Sequence, residues 1–289
     1  MPSDNILDKV KELRDLTGAG FKDCKYAIDE NNGDIEKSVE FLRVKGIAKA
    51  NKKKQRVASD GLVSISEKEN KFSIIEINSE TDFVAKNSEF INFVEEVSLL
   101  SLSSSGIIEK TLNSEMKNKK LVKDNLVSLI AKIGENITIR RSSFIADNNC
   151  MNFSYTHSAI KKNLGSIGVL LSLETTKKDN EIIEFGRKLS MHVAASSPLS
   201  IDKHDLDVKI IQKEKEIIHE ELKNAKKDPK ITEKIALGKL NKFIADNTLL
   251  NQEWIMEPKK KVKDIIKELA GNDEIKIKNF VRYKVGEGV

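Results

Sequence analysis

The feature that most constrains the fold is an internal duplication. From residue 60 the chain runs through the same order of elements twice. The junction Ala131-Lys132-Ile133-Gly134-Glu135-Asn136-Ile137-Thr138-Ile139 parallels Leu269-Ala270-Gly271-Asn272-Asp273-Glu274-Ile275-Lys276-Ile277. Each reads as a helix end, a polar turn and the start of a strand. In the first copy, strands are expected at Gly61–Ser66 and Phe72–Asn78 around a polar turn at Glu69-Asn70-Lys71. Helices at Ser88–Ser101 and Leu121–Ile133 and a strand at Ile137–Ile145 follow. The second copy offers strands at Met151–His157 and Ser166–Glu174, helices at Asn180–Ala195 and Lys261–Ala270, and a closing strand at Glu274–Val285. A repeat of strand-strand-helix-helix-strand implies an α+β chain with two similar subdomains, residues 60–148 and 149–289. Each would be a small antiparallel sheet with helices on one face.

The second copy carries an insertion, residues 203–247. Val208, Ile211, Lys215, Ile218, Leu222 and Ala225 recur at three and four apart, a heptad seam with one polar position. Lys226-Lys227-Asp228-Pro229 turns the chain, and Leu237, Leu240 and Ile244 line a returning helix. This reads as an antiparallel helical hairpin. Its seam serves either its own packing or self-association, so a homodimer through the hairpin or the core stays open.

Residues 1–45 read as three short helices. Ser3 or Asp4 caps the first, whose Ile6, Leu7, Val10, Leu13 and Leu16 follow at helical spacing. Gly18, Gly20 and Asn31-Asn32-Gly33 break the chain. Asp34 caps the third, with Ile35, Val39 and Leu42 inward. Such a bundle resembles a ubiquitin-associated-type domain, a type that binds partners on an apolar patch. Residues 46–59 then read as a basic linker, a solvated helix containing Lys49, Lys52, Lys53, Lys54 and Arg56. Nucleic-acid binding is the weaker reading, because no aromatics are interleaved for base stacking.

Fifty basic and 45 acidic residues leave a net charge of only +5, spread along the chain. Two cysteines, Cys24 and Cys150, and no C-x-x-C pair argue against a zinc site or disulfide framework. Cys24 fits a small buried hydrophobe. Residues 1–5 do not read as a signal peptide and no apolar run approaches a span of about 18 residues, so a cytoplasmic setting is expected. There is no phosphate loop and no dinucleotide turn. His157, His192, His204 and His219 lack metal-ligand spacing. Glu80 and Asp82 would share a strand face, but nothing suggests a pocket for acid–base work. No enzyme, metal or cofactor is expected.

The segment Thr81-Asp82-Phe83-Val84-Ala85-Lys86-Asn87 joins an apolar strand to a helix that Asn87 or Ser88 can cap. Taken alone, Phe83 more simply tucks beneath that helix than protrudes.

Four segments, in order, resemble the bacterial elongation factor Ts family. They are Val10–Arg14 through Thr17-Gly18-Ala19-Gly20 to Asp23-Cys24-Lys25 with Asn32-Gly33-Asp34; Glu80–Asn87; Ala131–Asn136; and Met191-His192-Val193-Ala194-Ala195-Ser196. Gly286-Glu287-Gly288 adds to them. The chain departs from the family in three places. Phe21 and Lys22 stand where methionines are common. The loop Lys161–Gly165 is long. The chain stops at Val289, before a terminal helix that some members carry, so that contact is expected to be missing.

The resemblance implies a guanine nucleotide exchange factor of translation elongation that binds elongation factor Tu, GDP-bound and nucleotide-free. It implies that Thr81, Asp82, Phe83 and Val84 disturb Tu's magnesium site, with the Phe83 ring wedged between two helices. Close-packed interiors accommodate an added ring only by moving an element. It further implies anchoring through Arg14 and Phe21 on the bundle and through His157 on the second subdomain. A ubiquitin-associated-like adaptor, or a weak nucleic-acid-binding protein, would explain the bundle or the basic stretch but not the duplicated core.

Overall fold

The computed structural model describes residues 6–223 and 229–289. The expected cap at Ser3 or Asp4 and the expected turn at Lys226–Asp228 lie outside them. Helices α1 (Ile6–Thr17), α2 (Phe21–Glu30) and α3 (Ile35–Lys53) form the N-terminal bundle. Val10, Leu13, Cys24, Ala27 and Ile28 are its buried centre. The Asp34 carboxylate caps α3, accepting from the Lys37 backbone N–H at 3.0 Å.

The sequence ends the bundle near residue 45 and puts a solvated linker helix after it. Instead α3 runs unbroken to Lys53. Its small residues explain this: Gly46 and Ala50 are buried, and Gly46 faces Val127 and Ala131 of the later helix α7 (Val122–Ile133). The second half of α3 therefore belongs to the interface with the core. Two of its charges are paired within the fold. Lys45 and Lys49 hold Asp23 at 3.0 and 2.8 Å, and Lys45 also lies over the Tyr26 ring.

Strands β1 (Asp60–Lys68) and β2 (Lys71–Ser79) form a hairpin, followed by α4 (Asp82–Ala85), α5 (Ser88–Ser103), α6 (Ile108–Leu112), α7 and β3 (Ile137–Ile145). Next come β4 (Cys150–His157), β5 (Leu164–Gly165), β6 (Ile167–Thr175), α8 (Asn180–Ser196), α9 (Val208–Lys223) and α10 (Pro229–Asn247). Short strands β7 (Glu253–Trp254) and β8 (Glu257–Lys261), then α11 (Val262–Ala270) and β9 (Ile275–Lys284), complete the chain. The α+β architecture is the expected one, with antiparallel sheets and helices. The pieces that sequence reading missed, α4, α6, β5, β7 and β8, are all short.

The duplication is visible in the sheets. The first has the order β3-β2-β1-β5 and the second β4-β6-β9, so β3-β2-β1 corresponds to β9-β6-β4. Each central strand pairs with its closing strand through a bulge at the same place. In the first copy the register shifts between Glu76 and Ile77, leaving Arg140 as the extra residue. In the second it shifts between Ser172 and Leu173, leaving Lys278 as the extra residue. The alignment of the two junctions also pairs Arg140 with Lys278. A bulge bends and twists the strand that carries it, so both sheets bend at equivalent points.

The two sheets pack face to face, with α5 and α7 outside the first and α8 and α11 outside the second. Ile75, Ile77, Phe90, Val94 and Ile130 fill one helix-to-sheet core, and Leu171, Leu173, Phe185, Leu189 and Trp254 the other. Between the sheets lie Val63, Ile65, Phe72, Ile74, Leu170 and Tyr283. Gly168 permits the close approach, since a Cβ there would meet Val63 at 2.6 Å and Ile74 at 2.8 Å. The long loop before β6 supplies β5, which pairs with Val63 and Ser64 of β1 and ties the two copies together.

Helices α9 and α10 form the expected hairpin, closed at its root by a Ser200–Thr248 bridge. The expected seam is partly covered at Ile211, Leu222, Leu240 and Ile244 but open at two apolar positions, and Ala225 lies outside the described residues. Ile218 is buried, but Val208 is 76% and Leu237 59% exposed. Two helices alone cannot cover a full stripe on each other.

Candidate functional site

The connection from β2 to α5 is built on Thr81. Strand β2 is covered on both faces and delivers the chain to Glu80 and Thr81 in a fixed direction. Thr81 has extended backbone angles and is the N-cap of α4. All three of its polar groups are held. Its N–H donates to Glu135 Oε2 at 3.0 Å, its hydroxyl donates to Glu135 Oε1 at 2.8 Å, and its carbonyl accepts from the Ser79 hydroxyl at 3.0 Å. Glu80 accepts from the Asn136 backbone N–H at 2.6 Å, and Arg56 approaches it at 3.5 Å. Gly134, in a left-handed conformation at the end of α7, makes the turn that presents Glu135 and Asn136. Glu80 and Asp82 have separate partners and form no pair.

The expected loop is a one-turn helix. Asp82 and Lys86 form an ion pair at 2.6 Å across it. The hydrogen bond from Lys86 holds the Asp82 carboxyl below the usual carboxylate range. Val84 and Ala85 turn inward, and Asn87 then caps α5, accepting from the Glu89 and Phe90 backbone N–H groups. Phe83 points outward and is 78% exposed, so it does not tuck beneath α5. Val84, grouped with Phe83 by sequence, is 5% exposed and belongs to the anchor.

The other candidate residues lie on different elements. Arg14 is exposed near the end of α1, and Phe21 is exposed at the start of α2. Ile6, Leu7, Leu16 and Tyr26 leave further apolar surface on the same bundle. His157 is exposed at the end of β4, where its Nδ1 meets the Tyr155 hydroxyl at 3.1 Å. His192, by contrast, is buried. Its Nε2 meets Gln252 Oε1 at 3.0 Å, and its ring stacks on Trp254. Its Nδ1 accepts from the Ile255 N–H at 3.4 Å, which fixes the neutral tautomer. Burial holds its pKa below the ordinary histidine value. Both cysteines are buried; burial raises Cys24 and, aided by Asp147, pushes Cys150 up to about 11. Among the described residues no group of three or more His, Cys, Asp or Glu could hold a metal, and no helix is long and apolar enough to cross a membrane.

Glu135 is the site residue that reading by composition missed. Its signal in the sequence is the repeated junction at Gly134-Glu135-Asn136. Its partner, however, lies 54 positions away.

The elongation factor TS family model matches residues 80–287, from Glu80 through the duplicated core. Elongation factor Ts of Maricaulis maris is 39% identical over 286 residues, covering 97% of this chain and 91% of that protein. The Azorhizobium caulinodans protein of the same name is 42% identical over 283 residues, covering 97% and 92%. That of Methylorubrum populi is 40% identical over the same length, with the same coverage. This chain belongs to the elongation factor Ts family. The family match begins at the first residue of the anchored connection, just after β1 and β2, and takes in the rest of the core, including the second sheet and the hairpin. The relatives extend the similarity across the bundle, which lies outside the matched family segment.

Proposed function

We propose that the chain is a guanine nucleotide exchange factor of translation elongation in the cytoplasm. It binds elongation factor Tu carrying GDP, and the Phe83 ring enters Tu beside the site that organises magnesium and phosphate. The observation carrying this reading is an aromatic ring exposed on a one-turn helix whose backbone is held from below. A flexible loop would have to be ordered, at a cost, on meeting a close-packed partner, whereas an anchored ring can force the partner to move. Asp82 stands beside the ring as a polar contact. Arg14, Phe21 and the neighbouring apolar surface grip the nucleotide-binding domain, and His157 helps hold another part of Tu. Their binding offsets the strain that insertion creates.

No covalent bond is made. Loss of magnesium leaves phosphate charge poorly neutralised, so GDP departs. The factor then holds nucleotide-free Tu until GTP binds, and linkage requires each ligand to weaken the other by the same ratio. The test is Phe83→Ala. Because the ring is exposed before binding, the free protein should keep its denaturant midpoint. GDP release from Tu should slow about tenfold or more, the size of an interface hot spot. A large loss of stability with normal release at saturating factor would overturn the reading.

A further inference from the structure

Helix α4 has four residues, too few to hold itself together, since nucleating a turn costs more than its few hydrogen bonds return. Its open N-terminal end needs an acceptor, and Glu135 supplies one. The same carboxylate takes the Thr81 hydroxyl, so a single side chain fixes both the backbone and the side chain of the N-cap. Glu135 is only half-buried and has no part in the hydrophobic cores. The duplication supplies an internal control. Aligned through strands and bulges, Thr81 corresponds to Lys177 and Glu135 to Asp273. Those two approach each other as well, at 3.8 Å, but there the contact joins side chains only and no helix starts from it. The first copy uses the shared acid–partner contact to orient an element that the second copy lacks.

We infer that Glu135 is a positioning residue for nucleotide exchange: it sets the direction of Phe83 through Thr81 without itself touching the partner. This rests on the reading of Phe83 as the inserted ring. A charged acceptor taking two donors is among the stronger hydrogen-bonding arrangements, so its loss is expected to slow exchange about tenfold.

The experiment measures GDP release from Tu at saturating factor for Glu135→Ala, Glu135→Gln, Phe83→Ala and the double variant, with amide hydrogen exchange of the free proteins. Glu135→Ala should slow release about tenfold and deprotect the Thr81 amide. Glu135→Gln should restore most of the rate, because its carbonyl still accepts the N–H and its amide can donate to the Thr81 hydroxyl turned the other way. The double variant should be no slower than Phe83→Ala, since both changes act through one ring. Asp273→Ala, at the equivalent place, should leave release unchanged. If Phe83→Ala is slow and Glu135→Ala is normal, the positioning role falls and the wedge stands. If both are normal, the wedge itself falls. Multiplicative slowing in the double variant, or equal slowing by Asp273→Ala, would also overturn the inference. Should Glu135→Ala fail to fold, Thr81→Val removes the hydroxyl arm alone. A rate intermediate between wild type and Phe83→Ala supports the role, and a wild-type rate overturns it.

Discussion

The two copies of the core reach the same strand pairing, bulge and junction contact, yet differ where the central strand passes into its helix. After β2, residues 80–86 precede the capping Asn87; after β6, residues 176–178 precede the capping Asp179. The surplus in the first copy is about the length of α4. The copies also differ at the bulge. Glu76 in the first is fully buried, accepting from Gly286 N–H at 2.9 Å, Asn78, Arg140 and Arg141. Its counterpart Ser172 in the second is a buried hydroxyl bonded to Asn152 at 2.6 Å. One scaffold thus carries an exposed aromatic connection and a charged bulge in its first copy, and a plain turn and a neutral bulge in its second. Function in the proposed reading lies in a short connection grafted on a repeated fold.

The largest effect should come from erasing the difference. Replacing residues 80–86 by the Thr176-Lys177-Lys178 sequence should leave a folded core by circular dichroism. It should return GDP release to the unassisted rate. A chimera that still accelerates release would place the activity elsewhere.

Next is the bulge pair. Glu76→Ala leaves two arginines without their buried acceptor and should cost about 3–5 kcal/mol by denaturant unfolding, whereas Ser172→Ala should cost about 1 kcal/mol. Equal costs would mean that the charged cluster adds nothing to the bulge. Burial pushes the Glu76 carboxyl up, but the hydrogen bonds from Gly286 and Asn78 and the Arg141 charge outweigh it, leaving it below the ordinary range. That contribution is therefore complete above the unfolded value of 4.5 and is lost as pH falls through the lower folded value.

A smaller, pH-dependent effect belongs to the second copy. His192 is held neutral, with its folded pKa below the unfolded 6.5. Its contribution is complete above that value and declines as pH falls below it, because the unfolded chain takes up the proton first. The denaturant midpoint should drop between about pH 7.5 and about pH 5.5, and His192→Gln should lose much of that drop. An unchanged pH slope in the variant would show that the buried ring is not responsible.

The smallest effect on the core should follow removal of the hairpin. The described parts of α9 and α10 pack mainly on each other and on the short segment after α10. Replacing residues 208–243 by a Gly-Ser turn should shift the core's denaturant midpoint little. If the exposed Val208 and Leu237 serve self-association, the same deletion should leave a monomer by sedimentation. A deletion variant that associates like the parent would exclude the hairpin as the contact.

Much of this organisation was legible from local signals. The strand Ile137–Ile145 and the helix end at Ile133 fall where periodicity and the glycine turn put them. The cap at Asn87 follows from a short polar side chain before an apolar helix. Less was legible where distant segments decide. The basic stretch after residue 45 looked like a linker because its charges dominate, while Gly46 and Ala50, which matter for packing on α7, are inconspicuous. The run Ile74-Ile75-Glu76-Ile77 marks an apolar strand, but the expectation of helices on one face does not foresee that β2 is covered on both, by helices on one side and by the second sheet on the other.

Local patterning suffices for the repeated unit, the order of its longer helices and strands, and the motifs that place the chain in its family. These depend on residues within a few turns of one another and on a pattern stated twice. Long-range packing sets the rest: the two sheets stack, β5 crosses to join them, and Phe83 faces solvent on a helix held by Glu135. Each of those outcomes depends on contacts between segments far apart in the chain, whose geometry exists only once both copies have folded against each other.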